Sequence, residues 1–154
     1  MSQSPKSGPE DAAVQAPVEA LRLDRQLCFA LYGAANRITR LYRPLLEALG
    51  LTYPQYLVML ALWEHNPLTV GALGQALDLD SSTLTPLLKR LETARLIARS
   101  RDPQDERRVI ITLTSEGQDL REAARAIPAQ ILCRIDLPLE TLAALRDRLK
   151  TLAT

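Results

Sequence analysis

From Ser81 to Thr93 the apolar residues Leu84, Leu87, Leu88 and Leu91 recur at 3.6-residue spacing, leaving Ser82, Pro86, Lys89, Arg90 and Thr93 on the opposite face. This predicts an amphipathic helix with one face buried and the other open to a partner. The period then changes to two. Leu96–Arg99 and Val109–Leu113 read as strands, with Val109, Ile111 and Leu113 alternating against Ile110 and Thr112, and a charged loop holding Pro103 lies between them. Asp80–Leu113 is therefore expected to form a helix followed by a β-hairpin.

The same reading extends upstream. Leu27, Leu31, Ala35, Ile38 and Leu41 mark a long helix from Val18 to about Tyr42, bent or ended near Pro44. Thr52 can cap a second helix, Tyr53 to about Glu64, whose first turn tolerates Pro54 because the missing N–H has no helical partner there. Tyr56, Leu57, Met59, Leu60, Leu62 and Trp63 are too many for one stripe, so this helix is expected at the centre of the fold, with Trp63 in the core. Thr69 caps a short third helix with Val70, Leu73 and Leu77 inward, and Asp78–Asp80 turns into the helix at Ser81. Two short helices joined by such a turn form a helix-turn-helix, and the charged hairpin after it makes a winged helix. Downstream, one helix follows Thr114 and carries Cys133 late in its length, and a last helix spans Leu139 to Leu152.

Composition changes this picture little. The chain of 154 residues, 47% hydrophobic and 24% charged, suits one globular domain and argues against wholesale disorder. Met1–Pro17, with Pro5, Pro9 and Pro17 among small polar residues, is expected to be a disordered tail. Net charge is only +1, so an argument for nucleic acid rests on residues 80–110, where seven basic and five acidic residues leave a local +2. No apolar run approaches the roughly 20 residues that cross a bilayer, and no signal core follows a basic start, so the expectation is a cytoplasmic protein with no membrane partner. His65 stands alone and Cys28 and Cys133 lie far apart, so neither a metal site nor a cofactor is expected. The simplest reading of the two cysteines is a pair of buried small hydrophobes.

A winged helix places the polar face of its second helix in the major groove, and its wing crosses the backbone toward the minor groove. On that logic Ser82, Thr83, Thr85 and Lys89 are candidate helix contacts, Pro86 is a candidate for a thymine methyl, and Arg107 is the wing candidate. Leu79–Gly117, with SSTLTPLLKRLE, LIxR and DPQDERRVIITLTSEG, resembles the MarR family of dimeric bacterial repressors, whose wing carries DxR followed by a strand and LTxxG. The resemblance covers about Leu21–Leu149. It implies a mainly α fold with a small β-hairpin wing, in which residues 18–50 and 115–154 of a single 18–154 chain serve dimerisation and 53–113 binds DNA. It also implies that Arg107 enters the minor groove and Asp105 braces the wing, with an inverted-repeat operator as the partner of a homodimer.

Tyr32 lies one helical turn beyond Cys28, and Tyr42 falls near the same face but about 21 Å further along the helix. Two first helices paired antiparallel about a two-fold axis would bring Tyr42 of one chain to Cys28 of the other, with Tyr53 closing the pocket. Phenols donated to sulfur favour the thiolate, the nucleophile toward a peroxide. Cys28 with tyrosines at +4, +14 and +25 is similar to the organic hydroperoxide sensors (OhrR) of the MarR family, and Cys133 to the resolving cysteine of their two-cysteine, xanthomonad-type subclass. The resemblance implies a disulfide from Cys28 to Cys133 of the other subunit that releases DNA. A repressor controlled by a small aromatic ligand, with incidental cysteines, stays open. A thiol peroxidase is disfavoured because no histidine or carboxylate pair lies near Cys28 in sequence.

Overall fold

The computed structural model describes residues 18–152, so the expected tail Met1–Pro17 lies outside the described residues. The chain divides into two compact units at Arg37–Ile38. The first begins with two 3-10 turns, Val18–Leu21 and Leu23–Arg25, and continues into helix α1, which runs over Leu27–Glu47. The helix expected from Val18 thus starts nine residues later, counting from 18 to 27. Local bonds explain the delay: the Gln26 side-chain amide donates to the carbonyls of Ala20 and Arg22, and Arg22 pairs with Asp24 two residues away, a spacing a helix does not bring together. Pro44 lies inside α1 and does not end it.

In the second unit, α2 (Tyr53–Glu64) opens with a reciprocal capping box. The Thr52 hydroxyl accepts from the Gln55 amide while the Gln55 side chain accepts from Thr52 N–H at 2.8 Å. Val58, Met59 and Leu62 are fully buried, so α2 is the central helix expected from its composition. Trp63 is only half-buried, at the margin of the core, and its indole N–H donates to the Gly117 carbonyl at 2.8 Å. The indole thus sets its ring against the core while its N–H is satisfied by a carbonyl.

Next come β1 (Leu68–Thr69), α3 (Val70–Leu77) and α4 (Ser81–Thr93). Thr69 caps α3 by accepting from Ala72 N–H, and the turn to α4 passes through Asp78 at φ 52°. α4 buries Leu84, Leu87, Leu88 and Leu91, the stripe read from the pattern. Its end is a Schellman turn: Leu96 N–H reaches the Leu91 carbonyl, Arg95 N–H reaches that of Glu92, and Arg95 takes the left-handed φ of 61°. Because Leu96 closes this turn, the strand expected at Leu96–Arg99 is instead β2, Ile97–Arg101. β2 pairs antiparallel with β3 (Val109–Leu113), from Ile97 opposite Leu113 to Arg101 opposite Val109. β1, which sequence reading missed, adds Leu68 opposite Ile111 on the far side, giving a three-stranded sheet in the order β1-β3-β2.

The helix expected after Thr114 is two: α5 (Ser115–Ala124) and α6 (Ile127–Leu132). Pro128 has no N–H for the Ala124 carbonyl, so the ladder breaks there and restarts with proline in its first turn. α7 spans Leu139–Lys150 and buries no residue. The Thr114–Gly117 pair fastens α5 to the base of the wing. Thr114 donates its hydroxyl to the Arg95 carbonyl at 2.6 Å and its N–H to that of Leu96, and accepts from Gly117 N–H. A Cβ at Gly117 would stand 2.0 Å from the Leu96 oxygen, so only glycine allows that approach. No helix among the described residues is long and apolar enough to cross a membrane.

Candidate functional site

The polar face of α4 begins at Asp80, whose carboxylate accepts from Thr83 N–H and from the Ser82 hydroxyl, both at 2.7 Å. The Ser82 hydroxyl and then the Thr83 amide hold that carboxyl below the usual carboxylate range. The Thr85 hydroxyl donates to the Ser81 carbonyl at 2.7 Å. With their protons turned inward, the Ser82 and Thr85 hydroxyls keep lone pairs that can accept from the amino groups of adenine or cytosine. Pro86 sits within α4, exposed beside Lys89. Its ring removes the N–H that would bond the Ser82 carbonyl; nothing else in its surroundings explains its presence.

The wing tip is closed by its own backbone and two aspartates. Asp102 N–H donates to the Arg108 carbonyl and Arg108 N–H to that of Asp105, both at 2.9 Å. The Asp102 carboxylate accepts from Gln104 N–H at 2.9 Å, and the Asp105 carboxylate from Arg107 N–H at 3.1 Å. Both acids are thus spent on the turn, whereas the Arg107 side chain is exposed and makes no ion pair among the described residues. Helix and wing front one groove of about 480 Å³, lined by Thr69 and Gly71 at the start of α3, Ser81 and Thr85 on α4, and Arg99, Arg107 and Arg108 of the wing. Ser82, Thr83 and Lys89 are exposed on α4 without lining it. Arg99, Arg108 and the start of α3 were not singled out by sequence reading.

The residues expected to serve thiol chemistry are distributed over both units. In the first, Cys28 and Tyr32 lie one turn apart on α1 and both are exposed. In the second, the rings of Tyr42 and Tyr53 lie 4.9 Å apart, and Tyr56 completes the cluster at 5.9 and 6.5 Å. Burial pushes all three phenols above their ordinary value, with mutual repulsion of the ionised forms adding at Tyr42 and Tyr56. They therefore remain protonated hydrogen-bond donors at neutral pH. Tyr56 was read only as core. Cys133 is the exposed C-cap of α6, and its neighbour Arg134 donates to the Leu41 carbonyl at 3.4 Å. Both thiols are exposed, which overturns the reading of two buried small hydrophobes.

A helix-turn-helix joined to a three-stranded sheet with a basic hairpin defines a winged-helix DNA-binding transcriptional regulator, a class of binding proteins and not of enzymes. Residues 40–124 match the SarA/Rot family of transcriptional regulators. An organic hydroperoxide resistance transcriptional regulator of Bacillus subtilis is 49% identical over 132 residues, 86% of this chain and 90% of the relative. Among solved structures, reduced AbfR bound to DNA is 41% identical with a TM-score of 0.73, over 86% of this chain and 93% of that one. Disulfide-formed AbfR is 42% identical with a TM-score of 0.63, over 89% and 96%. The chain belongs to the MarR/SarA family of winged-helix transcriptional regulators, and it binds DNA.

Proposed function

We propose that this regulator is a cytoplasmic homodimeric repressor that senses organic hydroperoxides through Cys28 and releases its inverted-repeat operator when Cys28 becomes disulfide-bonded to Cys133 of the second copy. The observation that supports this reading is that one chain carries both an exposed thiol on α1 and, elsewhere, a cluster of protonated phenols at Tyr42 and Tyr53. Two copies with their first helices antiparallel would supply those phenols, with Tyr32, to the thiolate. Assembly is supported by the apolar surface a single chain leaves open: Leu27 and Phe29 on α1, and Leu139, Leu145 and Leu149 on α7. The relative's name, organic hydroperoxide resistance regulator, and the disulfide form of AbfR support the chemistry.

In the reaction, the Cys28 thiolate attacks the peroxide, forming S–O as O–O breaks, and the alkoxide takes a proton and leaves as alcohol. The Cys133 thiolate of the second copy then attacks the sulfenic sulfur, forming S–S, and hydroxide leaves as water. A disulfide requires Cα atoms within about 7 Å, so closing any larger gap moves helices and spoils the spacing of two recognition helices about 34 Å apart. A thousandfold loss of affinity needs only about 4 kcal/mol of differential strain. In this scheme Ser82, Thr83, Thr85, Pro86 and Lys89 face the major groove, Arg107 enters the minor groove, and Asp105 holds the wing turn.

The test is a gel shift on a duplex selected by the wild-type protein from random DNA, before and after stoichiometric cumene hydroperoxide, with non-reducing gels in parallel. Wild type is expected to release DNA and form a covalent dimer, and Cys28→Ser to do neither. Unchanged DNA binding by oxidised wild type overturns the redox reading. One observation favours a second reading, control by a small aromatic ligand. A cleft of about 1160 Å³ runs between an aromatic wall of Tyr56 and Trp63 and a polar wall including Gln118, Arg121 and Arg125. Ligand-driven release that survives in Cys28→Ser would support it.

A further inference from the structure

We propose that Glu92 and Arg99 form a strut that sets the angle of the wing against the recognition helix, so that Arg99 serves DNA recognition as a positioning residue and not as a phosphate contact. The inference is independent of the redox reading. Glu92 lies in the last turn of α4 and Arg99 in the middle of β2, beyond the Schellman turn. Arg99 Nε donates to Glu92 Oε2 at 2.7 Å and Nη2 approaches the same oxygen at 2.5 Å. Side-chain exposures of 33% for Arg99 and 36% for Glu92 leave the pair partly shielded from solvent, with Arg99 in the lining of the groove. The bond from Arg99 holds the Glu92 carboxyl below its ordinary range, so the acid is charged whenever DNA is bound at neutral pH.

Among the described residues this is the polar side-chain link between α4 and the wing strands. Strand alternation puts Arg99 on the same face of β2 as Ile97, which is 2% exposed in the core beneath α4. The strand is therefore fixed to the helix at two points, one apolar at its root and one ionic two residues further out. Without the outer point, β2 beyond Ile97 keeps no side-chain tie to α4 and is held there only by its pairing with β3. The five residues of β2 span about 16 Å, so a swing of about 10° carries the tip about 3 Å, as far as a hydrogen bond is long. Arg107 rides on that tip.

The groove also separates its arginines by ion pairing. Among the described residues Arg107 makes no ion pair and Arg108 only a distant one, to Asp102 at 3.9 Å, whereas Arg99 is paired at close range. A phosphate brought to Arg99 would meet the Glu92 carboxylate as well. The two roles therefore predict opposite signs for Glu92→Gln. As mere negative charge beside DNA, Glu92 weakens binding and its removal tightens it; as half of a strut, its removal loosens the wing and weakens specific binding.

The experiment measures binding of reduced protein at fixed salt to the duplex selected by wild type and to poly(dI-dC), with thermal melts as the folding control. Glu92→Gln is expected to bind the selected duplex about fivefold to tenfold more weakly while binding poly(dI-dC) as well as wild type or slightly better. The charge swap Glu92→Arg with Arg99→Glu is expected to recover most of the loss, which a phosphate-contacting Arg99 does not allow. Equal or tighter binding of the selected duplex by Glu92→Gln overturns the proposal. So does an Arg99→Met variant that loses affinity equally for both DNAs with a salt slope smaller by about one.

Discussion

In the winged helix, polar groups answer one another within a short stretch of chain: Asp80 with Ser82 and Thr83, Asp105 with Arg107, Thr114 with Arg95 and Gly117. In the first unit, the turns Val18–Leu21 and Leu23–Arg25 bury nothing, and Leu21 and Leu27 remain 79% and 59% exposed. The difference separates a part whose polar groups are answered by its own sequence from one that leaves apolar side chains and a thiol exposed. DNA recognition can therefore be damaged by changes within one chain, whereas the proposed sensing predicts a loss of response from changes that leave that chain's winged helix intact.

The largest expected effect is Gly117→Ala. The Cβ must displace the Leu96 carbonyl that anchors Thr114, a backbone atom with no room to give, and the cost is expected at about 2–4 kcal/mol in denaturant unfolding. An unperturbed midpoint would show that α5 can slide away from the wing without cost. Arg107→Ala comes next, with affinity for the selected duplex falling about tenfold to a hundredfold and thiol oxidation unaltered. A normal gel shift would remove Arg107 from the contact surface. The smallest effect concerns the tyrosines. Their raised values mean that the folded chain keeps its phenol protons after the unfolded chain has begun to lose them near pH 10. The stabilisation is complete below that pH and is lost as pH climbs through the folded values. Tyr42→Phe with Tyr53→Phe should flatten the alkaline fall in melting temperature; an unchanged alkaline limb would mean that these rings are not buried in solution.

Elements whose signals are local were legible in the sequence. Thr52 with Pro54, Thr69, and Asp80 with the leucine stripe of α4 marked helix starts correctly because capping involves residues three apart. β1 was not legible, since two residues carry no period and its partner β3 lies far along the chain. The late start of α1 depended on side-chain bonds from Gln26 that no hydrophobic pattern encodes. One helix was expected after Thr114, but Pro128 lacks the N–H that would continue it, so α5 and α6 are two. The exposed face of α4 and the exposed Arg107 side chain could be expected from periodicity and charge, whereas the bond of Arg99 to Glu92 could not. Its partner is reached only after the chain reverses at Arg95, where an arginine holds the backbone conformation that glycine usually marks.

Trp63 has a spectroscopic consequence. It is the chain's one tryptophan, its N–H is held by a carbonyl at the start of α5, and its ring lies 6.3 Å from Tyr56 in the phenol cluster. Indole emission shifts to the red when water replaces such a partner, and a nearby phenol feeds it excitation energy. The native protein thus carries its own fluorophore at the junction of α2 with the helix that braces the wing, so separation of these two helices can be followed optically without a label.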